Sequence, residues 1–358
     1  MFSFCMLQAQ ASDPYKNIRV TMILRTGIYG SDGGQEKYVM KIAALEIMNV
    51  GSDVDLSEFR DLGEFTAYDT TRTDQIYERA HEAEVLVINK LPINETTIGG
   101  LKELKLICVT ATGYDNVDIE CCNSRGIKVC NAVGYSTASV VQYTFAALFY
   151  IYEKLRYYDD YVREGHYCDS PIFTHFEERF NELEGKTWGI VGLGNIGRRV
   201  AAAAEAFGCD AVYFSTSGNH DDDKYRRLEW DEFLRSSDII SIHAPLNDNT
   251  RYLFSDEAFD KMKDTAFLVN MGRGPIIDEE ALVRAIKEGK IAGAALDVID
   301  GEPMKKDSPL RELSDDPRLL VTPHIAWATV EARARLMHEV YLNIKAYQNG
   351  KDRNTVES

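Results

Sequence analysis

The chain has no apolar run near the length that spans a bilayer, so a membrane-embedded role is not expected. It is also short of positive charge. Forty Lys and Arg face 57 Asp and Glu, for a formal net charge of -17. An acidic surface repels nucleic acid and anionic membranes, which removes both as expected partners. The seven cysteines form no Cys-x-x-Cys pair, their number is odd, and several sit in apolar runs. Reduced core thiols in a cytoplasmic protein are therefore expected. Cys121 and Cys122 are adjacent and could be redox-active, but nothing basic flanks them closely. No metal is expected, and there is neither a short repeat nor a low-complexity linker.

At 358 residues the chain exceeds one comfortable hydrophobic core, so two domains are expected. Residues 1–39 lack a basic segment before their short apolar run and read as a poorly ordered extension rather than a signal peptide. From Met40 the pattern turns regular. Apolar runs at 41–46, 64–67, 84–88, 106–109 and 127–129 predict strands, with helices between them at 74–82 and 96–103. A second series predicts strands at 187–191, 211–215, 238–242, 266–270 and 293–297. Its helices fall at 196–207, 229–235, 256–263 and 279–288. Alternation of this kind implies α/β folding on doubly wound parallel sheets, in two Rossmann-like domains. Residues 138–155 read as a buried crossover helix, interrupted by too many polar positions for a membrane span. The aromatic stretch 150–182 reads as an arm and suggests a homodimer. Residues 328–348 read as a tail helix whose partner lies elsewhere. The expected organisation is a discontinuous substrate domain, 40–137 with 322–358, and a nucleotide domain, 138–321, joined by hinges near 138 and 322.

The strand candidate Thr187–Val191 runs into Gly192-Leu193-Gly194-Asn195-Ile196-Gly197, and a helix follows. In the order strand, glycines, helix this pattern points to a dinucleotide. Gly192 permits a tight turn, Gly194 leaves room for the pyrophosphate, and Gly197 lets the helix pack on the strand. The helix start offers free N–H groups and positive partial charge to the phosphates. About twenty residues further on, where an NAD enzyme usually has Asp or Glu for the ribose, stands Ser215, followed by Thr216, Ser217, Gly218 and Asn219. No carboxylate repels a 2′-phosphate there, and no Arg follows directly to bind one. NAD and NADP both stay open, and the missing acid tilts the reading to NADP.

Three short segments fall at the carboxyl edge of the second sheet, where open α/β sheets bind ligands. They are Asn270-Met-Gly-Arg-Gly-Pro275, Asp297-Val-Ile-Asp-Gly-Glu-Pro303 and Thr322-Pro-His-Ile-Ala-Trp327. Together with Ala111-Thr-Gly-Tyr-Asp-Asn-Val-Asp118, the glycine loop and His243-Ala-Pro-Leu246, they make the chain resemble the D-isomer-specific 2-hydroxyacid dehydrogenases. The resemblance covers about Met40 to Asn349 and is nearest to the glycerate dehydrogenase (hydroxypyruvate reductase) members. One departure is Gln142-Tyr143, where many relatives have Glu-His.

Reducing a 2-keto acid needs a hydride, a proton and a hold on the carboxylate. Histidine is the side chain whose unperturbed pKa lies near neutrality, so His324 suits the proton transfer. Glu302 beside it would orient the ring and favour the imidazolium. Arg273 offers a rigid fork to carboxylate and keto oxygen, and its flanking glycines suggest close approach to a ligand. The resemblance places these three residues in those roles. It also implies that the backbone N–H groups of Thr112 and Gly113 bind the substrate carboxylate. It implies that Asp297 holds the nicotinamide carboxamide, and that His243, Ala244, Pro245, Thr250, Met271, Gly272 and His324 line the cofactor. Each has a plainer alternative: His324 a core histidine, Arg273 a surface charge, Glu302 loop punctuation, and His243 mere packing. The other histidines (81, 166, 175, 220, 338) read as solvated.

The expected activity is NAD(P)H-dependent reduction of a small 2-keto acid, of hydroxypyruvate or glyoxylate type, to the D-2-hydroxy acid, and the reverse oxidation. By resemblance Trp327 favours that branch. A larger acid, of phenylpyruvate or D-lactate type, stays open. So does a nucleotide-sensing corepressor-like scaffold, although the intact Arg, Glu and His argue for turnover. A phosphoglycerate dehydrogenase would need an extra basic patch.

Overall fold

The computed structural model describes residues 38–218 and 221–356. The extension expected at 1–39 lies outside them up to residue 37, as do Asn219 and His220. The chain divides into two compact units, Met1–Val133 with Ala334–Ser358, and Gly134–Arg333.

The first unit carries β1 (Lys41–Ala44), β2 (Glu64–Ala67), β3 (Val85–Ile88), β4 (Leu106–Val109) and β5 (Lys128–Cys130). They form one sheet in the order β2-β1-β3-β4-β5, every pairing parallel. β3 and β4 are apolar at every position and buried at every position. That is the signature of a parallel sheet covered on both faces. Short helices α1 (Ile76–Ala80), α2 (Glu95–Ile98) and α3 (Ile119–Ser124) connect the strands. Asn94 and Asp118 cap α2 and α3 by accepting from Thr97 N and Cys121 N.

In the second unit the helix expected at 138–155 is α4 (Thr137–Tyr152). It stops short because Lys154 takes a left-handed conformation, φ 55°. A separate helix, α5 (Leu155–Arg163), then begins, and none of its residues is buried. The sheet follows: β6 (Thr187–Val191), β7 (Asp210–Phe214), β8 (Arg226–Arg227), β9 (Ile239–Ile242), β10 (Phe267–Asn270), β11 (Gly293–Leu296) and β12 (Leu319–Val321). Its order is β12-β11-β10-β9-β6-β7-β8, again parallel throughout. Chain order reverses at β6 and β9, and a doubly wound sheet opens its ligand crevice at that switch. The helices are α6 (Asn195–Ala206), α7 (Trp230–Ser236), α8 (Asp256–Phe259) and α9 (Glu279–Glu288). α9 matches its expected span. Asp278 caps its start by accepting from Glu280 N and Ala281 N, and Gly289 ends it at φ 71°.

The core of this unit includes Trp188, Phe233, Phe254 and Phe259, each fully buried. Full burial of side chains of this class stabilises by roughly 1.5–3 kcal/mol apiece. The indole N–H of Trp188 donates to Ser241 Oγ at 2.9 Å, so the one polar atom of that ring is satisfied. The last helix, α10 (Val330–Gln348), crosses from one unit to the other. In the first unit Tyr341 lies edge-on to Phe59, Gln348 donates to Leu62 O, and Asn343 donates to Asn131 O at 2.9 Å.

Several expectations change. The second boundary falls at Arg333/Ala334 rather than 322, because residues 322–326 are tied to Asp297 in the second unit. The first falls at Val133/Gly134 rather than 138. His175 is not solvated: its ring stacks on Tyr161 at 3.9 Å and its Nε2 lies 2.7 Å from the Tyr157 hydroxyl. His338 stays exposed as expected, and pairs there with Glu58 at 2.9 Å. The described cysteines are all free, and burial pushes the Cys122 thiol up to about 11, which suits an inert core position.

Candidate active site

The three carboxyl-edge segments of the second unit converge. Glu302 and His324 meet directly: Glu302 Oε2 lies 2.7 Å from His324 Nδ1. The other oxygen, Oε1, accepts from Ile299 N at 3.3 Å, which fixes the plane of the carboxylate. With Nδ1 engaged, Nε2 is the nitrogen left to face a reactant. The two side chains are 26% and 28% exposed, open enough to meet a small molecule. His324 is not a core histidine.

The backbone beneath His324 is held with unusual density. His324 takes φ 55°, a left-handed conformation rare for a residue with a β-carbon. Its N–H donates to Asp297 O at 2.8 Å. The Asp297 carboxylate accepts from Thr322 Oγ1 at 2.7 Å, Ile325 N at 2.9 Å and Ala326 N at 2.8 Å. Asp297 is only 2% exposed. Burial pushes its pKa up, opposed by those donors and by the nearby His324. Its role in the structure is to fasten the histidine segment to the end of β11. The carboxamide contact expected of it has to share a carboxylate that already holds three donors.

Arg273 leaves β10 on a turn built by Asn270, which is fully buried. Asn270 Oδ1 accepts from Gly272 N at 3.0 Å and its Nδ2 donates to Arg273 O at 2.9 Å. The flanking glycines do make a close approach, but to protein backbone. A β-carbon on Gly274 would sit 1.9 Å from Ile299 C and 2.0 Å from Ile299 O. One on Gly272 would sit 3.0 Å from Ala244 O. Gly274 thus presses the arginine turn against the start of the Glu302 loop. Glu279 secures the same loop by accepting from Asp300 N at 2.7 Å.

The glycine loop behaves as its spacing predicts. Gly192 has φ 91° and lies against Ala244, while a β-carbon on Gly197 would meet Gly192 O at 2.3 Å. At Gly194 a β-carbon would meet nothing within 4 Å, so the space over the turn is open. α6 starts there with no side-chain cap on its N–H groups, and Leu193, Asn195 and Ile196 complete the turn. His243, at the end of β9, has both ring nitrogens buried and without a partner among the described residues. Burial holds its pKa down to about 3, so the ring is neutral. An orphaned polar ring beside an open anion-binding turn fits a bound dinucleotide. Ala244 is buried and Pro245 exposed beside it. Met271, next to Gly272, is nearly buried. Thr250 differs from expectation: it is fully buried, donating to Pro245 O at 2.7 Å and accepting from Asn247 N at 2.8 Å. It shapes the loop rather than lining it.

In the first unit Thr112 and Gly113 follow β4 at its carboxyl end. Thr112 Oγ1 donates to Ala132 O at 2.9 Å, and Thr112 O accepts from Asn131 Nδ2 at 2.7 Å. These side-chain bonds hold the loop while both backbone N–H groups lack an acceptor among the described residues.

Two neighbours of these segments escaped the sequence. Tyr135 is buried, lies edge-on to Trp327 at 6.2 Å, and feels the charge of Arg273. Burial pushes its hydroxyl up to about 12. No motif marked it. The other is Arg227, whose strand β8 is too short for an apolar pattern.

Comparison with known proteins bears on this geometry. Residues 145–326 match the family described as D-isomer specific 2-hydroxyacid dehydrogenase, NAD binding domain. A glycerate dehydrogenase of Methylorubrum extorquens is 36% identical over 307 residues, 86% of this chain and 96% of the relative. A hydroxypyruvate reductase of Blautia hydrogenotrophica is 35% identical over 324 residues, 88% of this chain and 99% of the relative. Among solved structures, an acyclic imino acid reductase in complex with NADPH and D-Arg superposes with a TM-score of 0.80. It is 27% identical, over 89% of this chain and all of that one.

Proposed function

Because the chain belongs to the D-isomer-specific 2-hydroxyacid dehydrogenases, we propose that it reduces a small 2-keto acid of hydroxypyruvate or glyoxylate type to the D-2-hydroxy acid with NAD(P)H. The observation that carries this reading is the Glu302–His324 pair at 2.7 Å, on one interlocked edge with Arg273. A bound reduced nicotinamide supplies the hydride. His324 Nε2 gives the proton to the developing alkoxide, and Glu302 favours the imidazolium form before transfer. In the oxidative direction the same nitrogen takes the proton back. Arg273 binds carboxylate and keto oxygen with its planar fork. The N–H groups of Thr112 and Gly113 are assigned to the carboxylate.

The open turn at Gly194, the uncapped start of α6 and His243 are assigned to the dinucleotide. Ser215 in place of an acid favours NADP. The exposed aromatic arm, with Phe173 89% and Phe176 74% exposed, supports a homodimer, which sedimentation equilibrium would check. No helix among the described residues is long and apolar enough to cross a membrane. With the free thiols, that supports a cytoplasmic protein.

The test is a panel of 2-keto acids with NADH and NADPH, followed at the nicotinamide absorbance. Turnover highest with hydroxypyruvate or glyoxylate is expected. Preference for phenylpyruvate or pyruvate would move the substrate class, and no turnover with any acid would overturn the enzymatic reading.

A further inference from the structure

The second sheet carries a cation to the ribose end of the cofactor loop that local sequence does not reveal. β8 pairs in parallel with β7, placing Arg226 beside Val212 and Arg227 beside Tyr213. That register sets Arg227 next to the strand end that runs into Ser215. Its Nη1 donates to Gly218 O at 3.0 Å, in the loop that holds the hydroxyls of Ser215, Thr216 and Ser217. The same nitrogen lies 3.2 Å from Asp221 Oδ1, and the Asp221 side chain is 88% exposed. An ion pair so open to water is weak and easily exchanged.

A neighbouring arginine makes a useful contrast. Arg198, in the first turn of α6, is engaged by Asp222. That carboxylate also accepts from Lys224 N and Tyr225 N, both at 2.9 Å. Asp222 is built into its turn, whereas Asp221 only rests on Arg227.

We propose that Arg227 reads the 2′-phosphate of NADP at this loop, with the Ser215, Thr216 and Ser217 hydroxyls as companion donors. Asp221 holds the guanidinium until the phosphate displaces it. A phosphate carries more charge than a carboxylate and suits the planar fork of arginine. The sequence places no arginine directly after Ser215; the parallel pairing of β8 supplies one from further along. The inference rests on the reading of the chain as a nicotinamide-dependent reductase and extends it to the choice of cofactor.

The test is equilibrium binding to the full chain, by calorimetry, of NADPH, NADH and the fragment 2′,5′-ADP. Arg227→Leu is expected to lower the NADPH-to-NADH affinity ratio by roughly 10- to 100-fold, the worth of a charge-assisted contact. Binding of 2′,5′-ADP should fall in parallel, and Arg227→Lys should recover part of it. Ser215→Asp should lower the same ratio, and Asp221→Asn should raise it. An unmoved ratio in Arg227→Leu would overturn the assignment, as would wild-type chain that does not bind 2′,5′-ADP. The keto-acid panel on wild-type chain decides the reductase reading separately, since 2′,5′-ADP binding needs no substrate and no turnover.

Discussion

Two regions at the carboxyl edge of the second sheet are built by opposite means. Around His324 the segments are fastened through buried backbone and one buried carboxylate, Asp297, that accepts three donors. Around Ser215 the loop carries two guanidinium–carboxylate pairs of unlike kind: Arg198 with Asp222, which is built into its turn, and Arg227 with Asp221, whose carboxylate is 88% exposed. The first arrangement suits the proposed reacting groups, because a fixed geometry is what proton transfer and carboxylate binding require. In the second the Arg227–Asp221 pair is the adjustable one, because an ion pair with so exposed a carboxylate costs little to exchange. The proposed chemistry sits on the first region, and the proposed choice of cofactor on the second.

Three measurements would break or sharpen that contrast beyond the cofactor variants above. The largest effect is expected from His324→Ala, which should lower kcat by roughly 10²–10⁴, the usual contribution of general acid–base catalysis. Cofactor affinity measured by calorimetry should stay near wild type; near-wild-type kcat would remove His324 from the mechanism. Next comes Asp297→Ala. It strands buried donors, each costing roughly 1–3 kcal/mol when left unpaired. The unfolding midpoint in urea should drop clearly, and kcat should fall with it as the His324 segment loosens. A midpoint within error of wild type would mean that the dense bonding is not what holds this edge.

The smallest effect is expected from Asp222→Asn. The hydrogen bond from Arg198 is the foremost cause that holds the Asp222 carboxyl down to about 2, with backbone N–H groups helping. Its folded pKa lies below the unfolded value. The stabilisation is therefore whole above the ordinary carboxylate range and fades as pH falls toward about 2. Thermal midpoints of wild type and variant should differ slightly at neutral pH and draw together from roughly pH 4 to pH 3. A constant gap would show that the charge is not the source.

What the sequence disclosed follows the same division. The glycine loop was legible because each glycine has a local reason: a positive φ at Gly192, open space at Gly194, close packing at Gly197. Central strands were legible because burial on both faces demands continuous apolar runs, as in Val85–Ile88. Arg273, Glu302 and His324 were legible through their motifs, and the structure brings them to one edge. Features set by long-range pairing were not legible. β8 is two arginines with no apolar signal, so neither the strand nor the proximity of Arg227 to Ser215 could be read. Thr250 was expected to line the cofactor only by resemblance, yet its own turn consumes its hydroxyl. The helix break at Lys154 is a left-handed residue that no glycine or proline announces.

Gly274 bears on how this enzyme can diverge. It seats the arginine turn on the Ile299–Asp300 backbone, so any side chain there would shift Arg273 and the Glu302 loop together. A substitution there is expected to disturb Arg273 and Glu302 together, and through Glu302 the His324 ring it holds. Trp327 lies outside that seam and packs on Tyr135 instead. For a directed-evolution library the practical rule is to vary the surroundings of Trp327 and leave Gly274 untouched.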